Sequence, residues 1–220
     1  MSSNKRLIAD LLFWVQIVLA FVFSVPQFLL LLENTQGQSL SMQIVMLGFL
    51  VMSLSLAFGT HRASPSRITR QIIAIYLMWS VFIAGNIGAI FWNGKYCWSV
   101  NDSVTMVLAV IGIVVVLVVC RTRNTGLDDP MPKGLLAILS KAVPQFMMAL
   151  KVASEGGAGV PMPTIIVGNI TVCLRIGQIW LSIREAGWDK NRVWLLLSET
   201  LNEISWATVS IVWAFWFLSQ

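Results

Sequence analysis

The last apolar segment of the chain carries a dense group of polar side chains. Glu199, Asn202, Glu203 and Trp206 stand at i, i+3, i+4 and i+7, which places them along one face of a helix. Carboxylates inside such a segment are costly, at about 2.5–3.5 kcal/mol each on insertion scales, and they usually face a cavity or a partner. Two acids beside an amide and an aromatic ring suit the binding of a charged or zwitterionic solute, or the passage of protons coupled to it.

Two basic residues are predicted to lie at the depth of these acids. Lys141 and Arg175 interrupt two other apolar segments. At 1.5 Å per residue both lie, like Glu199, about 10–14 Å from the end that holds the amino terminus. Lys141, Arg175, Glu199 and Glu203 therefore form a predicted charge cluster. In one interpretation the cations neutralise the acids and hold the helices together; in the other the cluster binds a solute. The sequence leaves both open.

The composition indicates that these side chains sit in a membrane. Of the 220 residues, 57% are hydrophobic and 11% are charged, whereas a soluble domain carries about 25% charge. Seven segments reach or approach the roughly 20 apolar residues that span a bilayer, and each must be a helix because lipid offers the backbone no partners. The predicted fold is all-α and integral to the membrane, with spans at Leu11–Leu32, Met42–Gly59, Ile72–Trp92, Val104–Cys120, Leu135–Leu150, Thr164–Ile183 and Val193–Leu218.

The lysines and arginines predict the orientation of these spans. Eleven of them lie on the side of the amino terminus, and only Lys95 and Lys151 lie on the other side. This bias predicts a cytoplasmic amino terminus and an outer carboxyl terminus, and it sets topology rather than indicating nucleic-acid binding. Short loops and the absence of a targeting sequence favour a bacterial plasma membrane. Tryptophans cluster at both predicted boundaries, with Trp92, Trp98, Trp213 and Trp216 outside and Trp188 and Trp194 inside.

Few residues suit soluble-enzyme, metal or cofactor chemistry. The three cysteines have no paired metal-ligand spacing, and the single histidine, His61, stands beside Arg62 in a short loop. There is no phosphate-binding glycine loop and no nucleophile elbow. A retinal photoreceptor would need a lysine in the seventh span, and Val193–Leu218 contains none. We therefore expect no enzyme, no metal and no cofactor.

The first and fifth segments carry the same tetrapeptide. Val25-Pro26-Gln27-Phe28 recurs 118 residues later as Val143-Pro144-Gln145-Phe146, and a polar turn with glycine follows each copy. Both third spans contain an asparagine, Asn86 and Asn202. The pattern predicts two parallel three-helix repeats joined by an apolar linker helix with no evident polar task. The predicted division is a cytoplasmic amino terminus, a first repeat, a linker helix, a cytoplasmic loop and a second repeat, at 1–10, 11–100, 101–121, 122–134 and 135–220.

The repeated prolines are predicted hinges. Proline inside a helix removes one backbone donor and clashes with the carbonyl four residues earlier, which bends the helix. Gln27 and Gln145 stand next to Pro26 and Pro144, where their amides could partner the freed carbonyls. Two such bends at related positions suit a pathway that opens alternately to either side, although a kink also serves packing alone.

These features resemble the PQ-loop superfamily over nearly the whole chain. The shared features are duplicated proline–glutamine pairs, a polar glycine-containing turn and a 3+1+3 layout. The superfamily includes the SWEET-like (MtN3-type) sugar facilitators and the lysosomal cystine and cationic amino-acid exporters. The resemblance implies a transporter of a small polar solute, such as a sugar, an amino acid or a vitamin-like compound, that rocks its two units, with or without coupled protons. It also implies that Asn86 and Asn202 contact substrate.

The sequence predicts seven substrate-binding residues: Asn86, Asn202, Trp79, Trp206, Glu199, Glu203 and Arg175. Trp79 shares a helix face with Asn86 and suits an apolar wall, while each asparagine has the alternative role of joining helices. The predicted cytoplasmic amino terminus and the absence of tryptophan from Met42–Gly59 differ from the SWEET proteins. A membrane receptor or trafficking adaptor on the same scaffold remains the alternative function. The expected partners are the solute and the bilayer, and a homo-oligomer is left open.

Overall fold

Seven helices make up the described fold. The computed structural model describes the backbone of residues 3–220 and the side chains of residues 10–185 and 187–220. The helices are Ser3–Glu33, Leu40–Ala63, Arg67–Asn93, Val100–Arg123, Pro130–Glu155, Met162–Ala186 and Lys190–Leu218. All seven are long and apolar enough to cross a membrane, and residues 3–220 contain no strand. The predicted all-α fold of an integral membrane protein is confirmed.

The helices extend beyond the predicted apolar segments because polar residues cap them. The fifth helix begins at Pro130, where the Asp129 side chain accepts a hydrogen bond from Met131 N at 3.0 Å. That bond and the ammonium group of Lys190 hold the pKa of Asp129 below its ordinary value. The cytoplasmic loop predicted at 122–134 therefore shortens to 124–129. The first helix likewise begins at Ser3, so 3–10 of the predicted amino-terminal segment 1–10 is helical.

The third and seventh helices hold equivalent places in the packing. The third helix packs against both the first and the second, and the seventh packs against both the fifth and the sixth. The two groups of three meet where the first helix contacts the sixth and the second contacts the fifth. The fourth helix lies against the second and the fifth. Two similar units would produce this order, and the internal repeat itself stays a prediction.

The outside of the bundle is apolar, as lipid contact requires. Val107, Val110 and Ile111 of the fourth helix are all more than half exposed. Soluble monomers rarely expose contiguous apolar patches larger than a few hundred Å². We call the end of the bundle with the amino terminus the N-terminal end. The opposite end, which carries the turns 34–39 and 156–161 and the carboxyl terminus, is the C-terminal end.

One tryptophan at the predicted outer boundary is buried. Trp92 is 84% exposed and Trp98 is 48% exposed, in keeping with a boundary position, but Trp213 is 8% exposed. Its indole N–H donates to the carbonyl of Val160 at 3.0 Å, beneath the second turn. Gly157 provides the space, because a Cβ there would lie 2.7 Å from the Trp213 ring. Trp213 therefore belongs to the core.

Candidate functional site

A cavity of about 340 Å³ lies between the two groups of three helices. Every helix except the fourth contributes side chains to its wall. Six of the residues predicted to bind substrate or to form the charge cluster line it: Trp79, Lys141, Arg175, Glu199, Asn202 and Trp206. Gln27 and Gln145 of the predicted hinges also reach it. Asn86, Glu203, Pro26 and Pro144 lie outside the described wall.

Three charged side chains meet at the cavity wall. Lys141 Nζ lies 2.9 Å from Glu199 Oε1, and Arg175 Nε lies 3.6 Å from the same oxygen. The other oxygen, Glu199 Oε2, accepts a hydrogen bond from Asn202 Nδ2 at 3.2 Å. These contacts put Lys141, Arg175 and Glu199 at one depth, as their spacing predicts. We call these three residues the charged triad.

Glu203 does not join the charged triad, which corrects the predicted cluster. No ion pair to its carboxylate occurs among the described side chains, and its Oε2 atom is buried without a hydrogen-bond partner among them. Glu203 lies four residues after Glu199, which places it one turn, about 6 Å, further toward the C-terminal end. That offset takes it past Lys141 and Arg175.

A π-helical turn presents Lys141. Residues Ile138–Ala142 form this turn inside the fifth helix, immediately before Val143 and Pro144. Turns of this kind occur mostly as single bulges inside α-helices and often lie at functional sites. The first helix, in contrast, remains α-helical through Pro26. The hinge role of the two prolines stays a prediction.

The glutamines after the prolines contact other helices and turns rather than the freed carbonyls. Gln27 Nε2 donates to the carbonyl of Gly159 at 3.1 Å, and Gln145 Oε1 accepts from the hydroxyl of Ser205. The carbonyls that the prolines free belong to residues five positions before each glutamine. With 3.6 residues per turn, that separation puts them on a different helix face. The expectation that the amides partner those carbonyls is wrong.

Interlocked turns close the cavity at the C-terminal end. The carbonyl of Gly159 accepts from Gln27 Nε2 and from Gln38 Nε2, the latter at 2.9 Å. Gly159 N in turn donates to the carbonyl of Gln36 at 2.9 Å, and Gln36 Nε2 donates to the carbonyl of Glu155. The turn 34–39 of one group of helices is thus bonded directly to the turn 156–161 of the other.

Glycine makes this close approach feasible. A Cβ on Gly159 would lie 2.6 Å from the carbonyl oxygen of Gln36. Gly37 opposes Gly156 across the same contact, and it has a φ of +75°, which favours glycine. The sequence identified both turns as polar and glycine-bearing but gave no signal that they touch.

The Gly159→Ala change is expected to separate the turns and to destabilise the protein. The added methyl group meets backbone atoms, which cannot rotate away, and overpacking of this kind costs about 1–3 kcal/mol. Thermal unfolding in detergent, followed by tryptophan fluorescence, measures the loss. Gly48→Ala is the matched control, since a Cβ on Gly48 has nothing within 4 Å. Equal stability of the two variants would contradict the described contact.

At the N-terminal end the cavity reaches the surface. Its wall there contains Pro130, which is partly exposed, and Lys133 and Asn191, which are exposed. At the opposite end the wall consists of Gln38 and Thr164, which are buried. The cavity therefore opens toward the N-terminal end and is closed toward the C-terminal end.

Phe23, Trp79 and Trp206 form an aromatic layer in the same cavity as the charged triad. The ring centroid of Phe23 lies 5.4 Å from that of Trp79 and 5.7 Å from that of Trp206, both in edge-on geometry. Gly168 admits the Trp206 ring, because a Cβ there would lie 3.1 Å from the ring. Trp79 and Trp206 were predicted from their helix faces. Phe23 was missed, since one phenylalanine among many apolar neighbours carries no signal.

Asn86 is buried but does not line the cavity. Its side chain is 1% exposed, and neither amide atom has a hydrogen-bond partner among the described residues. Ile83, one turn earlier on the third helix, reaches the cavity instead. Of the asparagine pair that the resemblance implies, the structure brings only Asn202 to this wall.

A second, fully buried charge pair lies at the C-terminal end. Lys151 Nζ is 2.7 Å from Asp102 Oδ2 and 2.9 Å from the hydroxyl of Tyr96, with both charged side chains at most 1% exposed. Burial, followed by the hydrogen bond to Asp102, raises the pKa of Tyr96. The hydroxyl groups of Ser39, Ser41 and Ser99 also donate to Asp102.

Lys151 lies at the C-terminal end, on the side that the sequence predicts, but it is buried in the fifth helix. The sequence reasoning gave the linker helix no polar task, and that interpretation is wrong. Ser99 caps the fourth helix with a reciprocal bond to Asp102, so the residues that begin this helix fasten it to the second and fifth. The Ser-x-x-Asp spacing of a capping box was the available signal.

The fold and the cavity define a seven-helix membrane protein with a polar, charged chamber between two groups of three helices. Comparison with protein-family models, with curated proteins and with solved structures finds no match.

Proposed function

We propose that this protein carries a small polar solute across the membrane by alternating access, with the central cavity as the binding site. The observation that carries the proposal is a chamber, lined mainly by apolar side chains with a few charged and amide groups, that reaches the N-terminal end while interlocked turns close the C-terminal end. A purely structural salt bridge needs no chamber beside it. Cavities lined mainly by apolar side chains with a few placed polar groups are typical ligand sites.

The packing order supports movement of one group of helices against the other. The groups meet at two interfaces, between the first and sixth helices and between the second and fifth. Each interface includes a helix that contains one of the repeated prolines, Pro26 or Pro144. Rocking at both interfaces opens one end of the cavity as it closes the other, which is the alternating-access scheme of repeat transporters.

The charge distribution assigns the two ends. If the end with eleven lysines and arginines is cytoplasmic, the cavity opens to the cytoplasm and the turns 34–39 and 156–161 form the outer gate.

Solute exchange in liposomes tests the proposal. Purified protein is reconstituted, and counterflow of labelled glucose, glutamate, lysine, nicotinamide and benzoate is compared with that of empty liposomes. A transporter accelerates the exchange of at least one of these solute classes. Exchange that varies with pH supports proton coupling, and exchange that is constant across pH argues against it. If every solute exchanged only at the rate of empty liposomes, the result would contradict transport and favour a receptor.

Glu199→Gln is expected to slow exchange at least about tenfold, because the loss of a charged hydrogen-bond partner costs about 1.5–3 kcal/mol. The double change Lys141→Met and Glu199→Gln leaves no unpaired lysine, so it separates loss of function from loss of folding. Glu33→Gln is the control, since Glu33 is exposed at the end of the first helix. If the folded double variant exchanged solute at the wild-type rate, the charged triad would not be part of the transport pathway.

A further inference from the structure

Arg175 presents unused hydrogen-bond donors to the cavity. Among the described side chains its polar contact is from Nε to Glu199 at 3.6 Å, which is longer than a hydrogen bond. Both Nη groups therefore lack a partner among the described side chains, although the residue lines the cavity wall. A guanidinium group with a free fork matches a carboxylate, which it binds through two parallel hydrogen bonds.

The charges at the wall favour an anion. Lys141 and Glu199 form the close pair of the charged triad, at 2.9 Å. Arg175 is left as the uncompensated cation at this depth. Lys133 adds another positive charge where the cavity opens. A solute with one negative charge neutralises the triad, whereas a cationic solute would add to the positive charge.

Two buried acceptors without partners belong to residues of the cavity wall. Gln43 Oε1 and Asn202 Oδ1 make no hydrogen bond among the described residues, and their side chains are 3% and 5% exposed. Both residues line the wall. Buried acceptors of this kind are expensive to leave unsatisfied, so a solute with an O–H or N–H donor suits them.

The aromatic layer suits a solute whose uncharged part, its body, is flat and apolar. Trp206 follows Glu199 by seven residues on the seventh helix, which puts the ring about 10 Å closer to the C-terminal end. Trp79, Phe23 and Trp206 form a wall there that suits a flat apolar group. The charged group of a solute and its flat body therefore have separate places in one cavity.

We propose, on the basis of the transport function inferred above, that the cavity binds a small monocarboxylate with a flat apolar body and one hydrogen-bond donor. Arg175 holds the carboxylate through its guanidinium fork. Gln43 and Asn202 accept from the donor, and the aromatic layer contacts the body.

Binding of hydroxybenzoates to the full-length protein tests this assignment. The 2-, 3- and 4-hydroxybenzoates place a donor at three distances from the carboxylate, and each has a neutral carboxamide of nearly the same shape. Binding is measured by calorimetry on protein in nanodiscs. We expect at least one isomer to bind, and its carboxamide to bind about 10- to 100-fold more weakly, as the loss of a charged hydrogen bond predicts.

Substitutions at Arg175 identify the group that holds the carboxylate. Arg175→Gln is expected to weaken hydroxybenzoate binding by the same factor, and Arg175→Lys, which keeps the charge without the fork, by less. Arg184→Gln on the same helix is the control, since Arg184 is exposed and away from the cavity. If Arg175→Gln does not fold, the comparison of acid with carboxamide and the Arg175→Lys variant decide. Binding of no isomer, or equal binding of acid and carboxamide, overturns the proposal.

The outcomes separate this inference from transport itself. Hydroxybenzoate binding without exchange in liposomes would contradict the transport function and support the carboxylate site. If the Arg175→Gln protein exchanged a neutral or cationic solute at the full rate, the transport function would be supported and the carboxylate site contradicted.

Discussion

Changing Asp102 to asparagine is expected to lower the free energy of unfolding by about 3–5 kcal/mol, the usual cost of breaking a buried ion pair by removing one partner. Lys151 is fully buried, and with Asp102 neutral its nearest carboxylate is that of Glu155, 3.9 Å away and exposed. The change keeps the size of the side chain, so the loss reports charge rather than packing.

The rest of the network makes the change more costly. Asp102 accepts hydrogen bonds from Tyr96 and from three serine side chains, and it does so at the start of the second and fourth helices. The side-chain N–H groups of an asparagine would face the tyrosine and serine hydroxyl groups, which are themselves donors. The lysine also lies 4.4 Å from the centroid of the Tyr96 ring, so it cannot swing out without losing that contact.

The double change Asp102→Asn and Lys151→Met measures the coupling. Methionine removes the unpaired cation, and we expect the double variant to be more stable than Asp102→Asn alone. Unfolding in detergent, followed by the fluorescence of the tryptophans, gives the comparison. Asp129→Asn is the control, because Asp129 pairs with Lys190 at an exposed position and little change is expected. If the two single aspartate variants are equally stable, Lys151 and Asp102 do not act as a buried pair.

Sequence reasoning worked best where the membrane itself imposes the pattern. Long apolar segments predicted all seven helices, since a span needs a minimum length and must bond its own backbone. The charges inside those segments predicted that Lys141 and Arg175 meet Glu199, because a charge at that depth requires a partner. The same argument wrongly included Glu203, whose position one turn further along the seventh helix takes it past both cations.

The remaining features depend on three-dimensional contacts that no local pattern records. Lys151 stands at the end of its apolar segment, where a solvated lysine and a buried one look the same in sequence. The bond between Gly159 and Gln36 joins residues from different halves of the chain. Asn86 and Asn202 look equivalent in sequence, yet the third helix places Ile83 rather than Asn86 at the cavity wall.

Locking the two turns together is expected to stop solute exchange completely. Alternating access requires the turns 34–39 and 156–161 to part, since their contact closes the C-terminal end. Gln36 and Glu155 are exposed residues on opposite sides of this contact, and the side chain of Gln36 reaches the Glu155 carbonyl. Cysteines at these two positions can therefore be joined by a short reducible cross-linker, in a chain whose native Cys97, Cys120 and Cys173 are serine.

A cross-link within one group of helices is the matched control. Asn34 and Asn93 lie beside the same surface pocket, and the Asn93 side chain donates to the carbonyl of Leu32 at 2.9 Å. Cysteines at these positions join the residue that follows the first helix to the end of the third helix, and both belong to the same group of three helices, which moves as a unit in this scheme. This cross-link is expected to leave exchange unchanged.

The exchange rate of a carried solute before cross-linking, after cross-linking and after reduction is the most direct measurement. We predict that the Gln36→Cys and Glu155→Cys protein exchanges solute when reduced, falls to the rate of empty liposomes when cross-linked, and recovers when the link is reduced again. Exchange that continues undiminished with the turns held together would contradict a pathway through the central cavity.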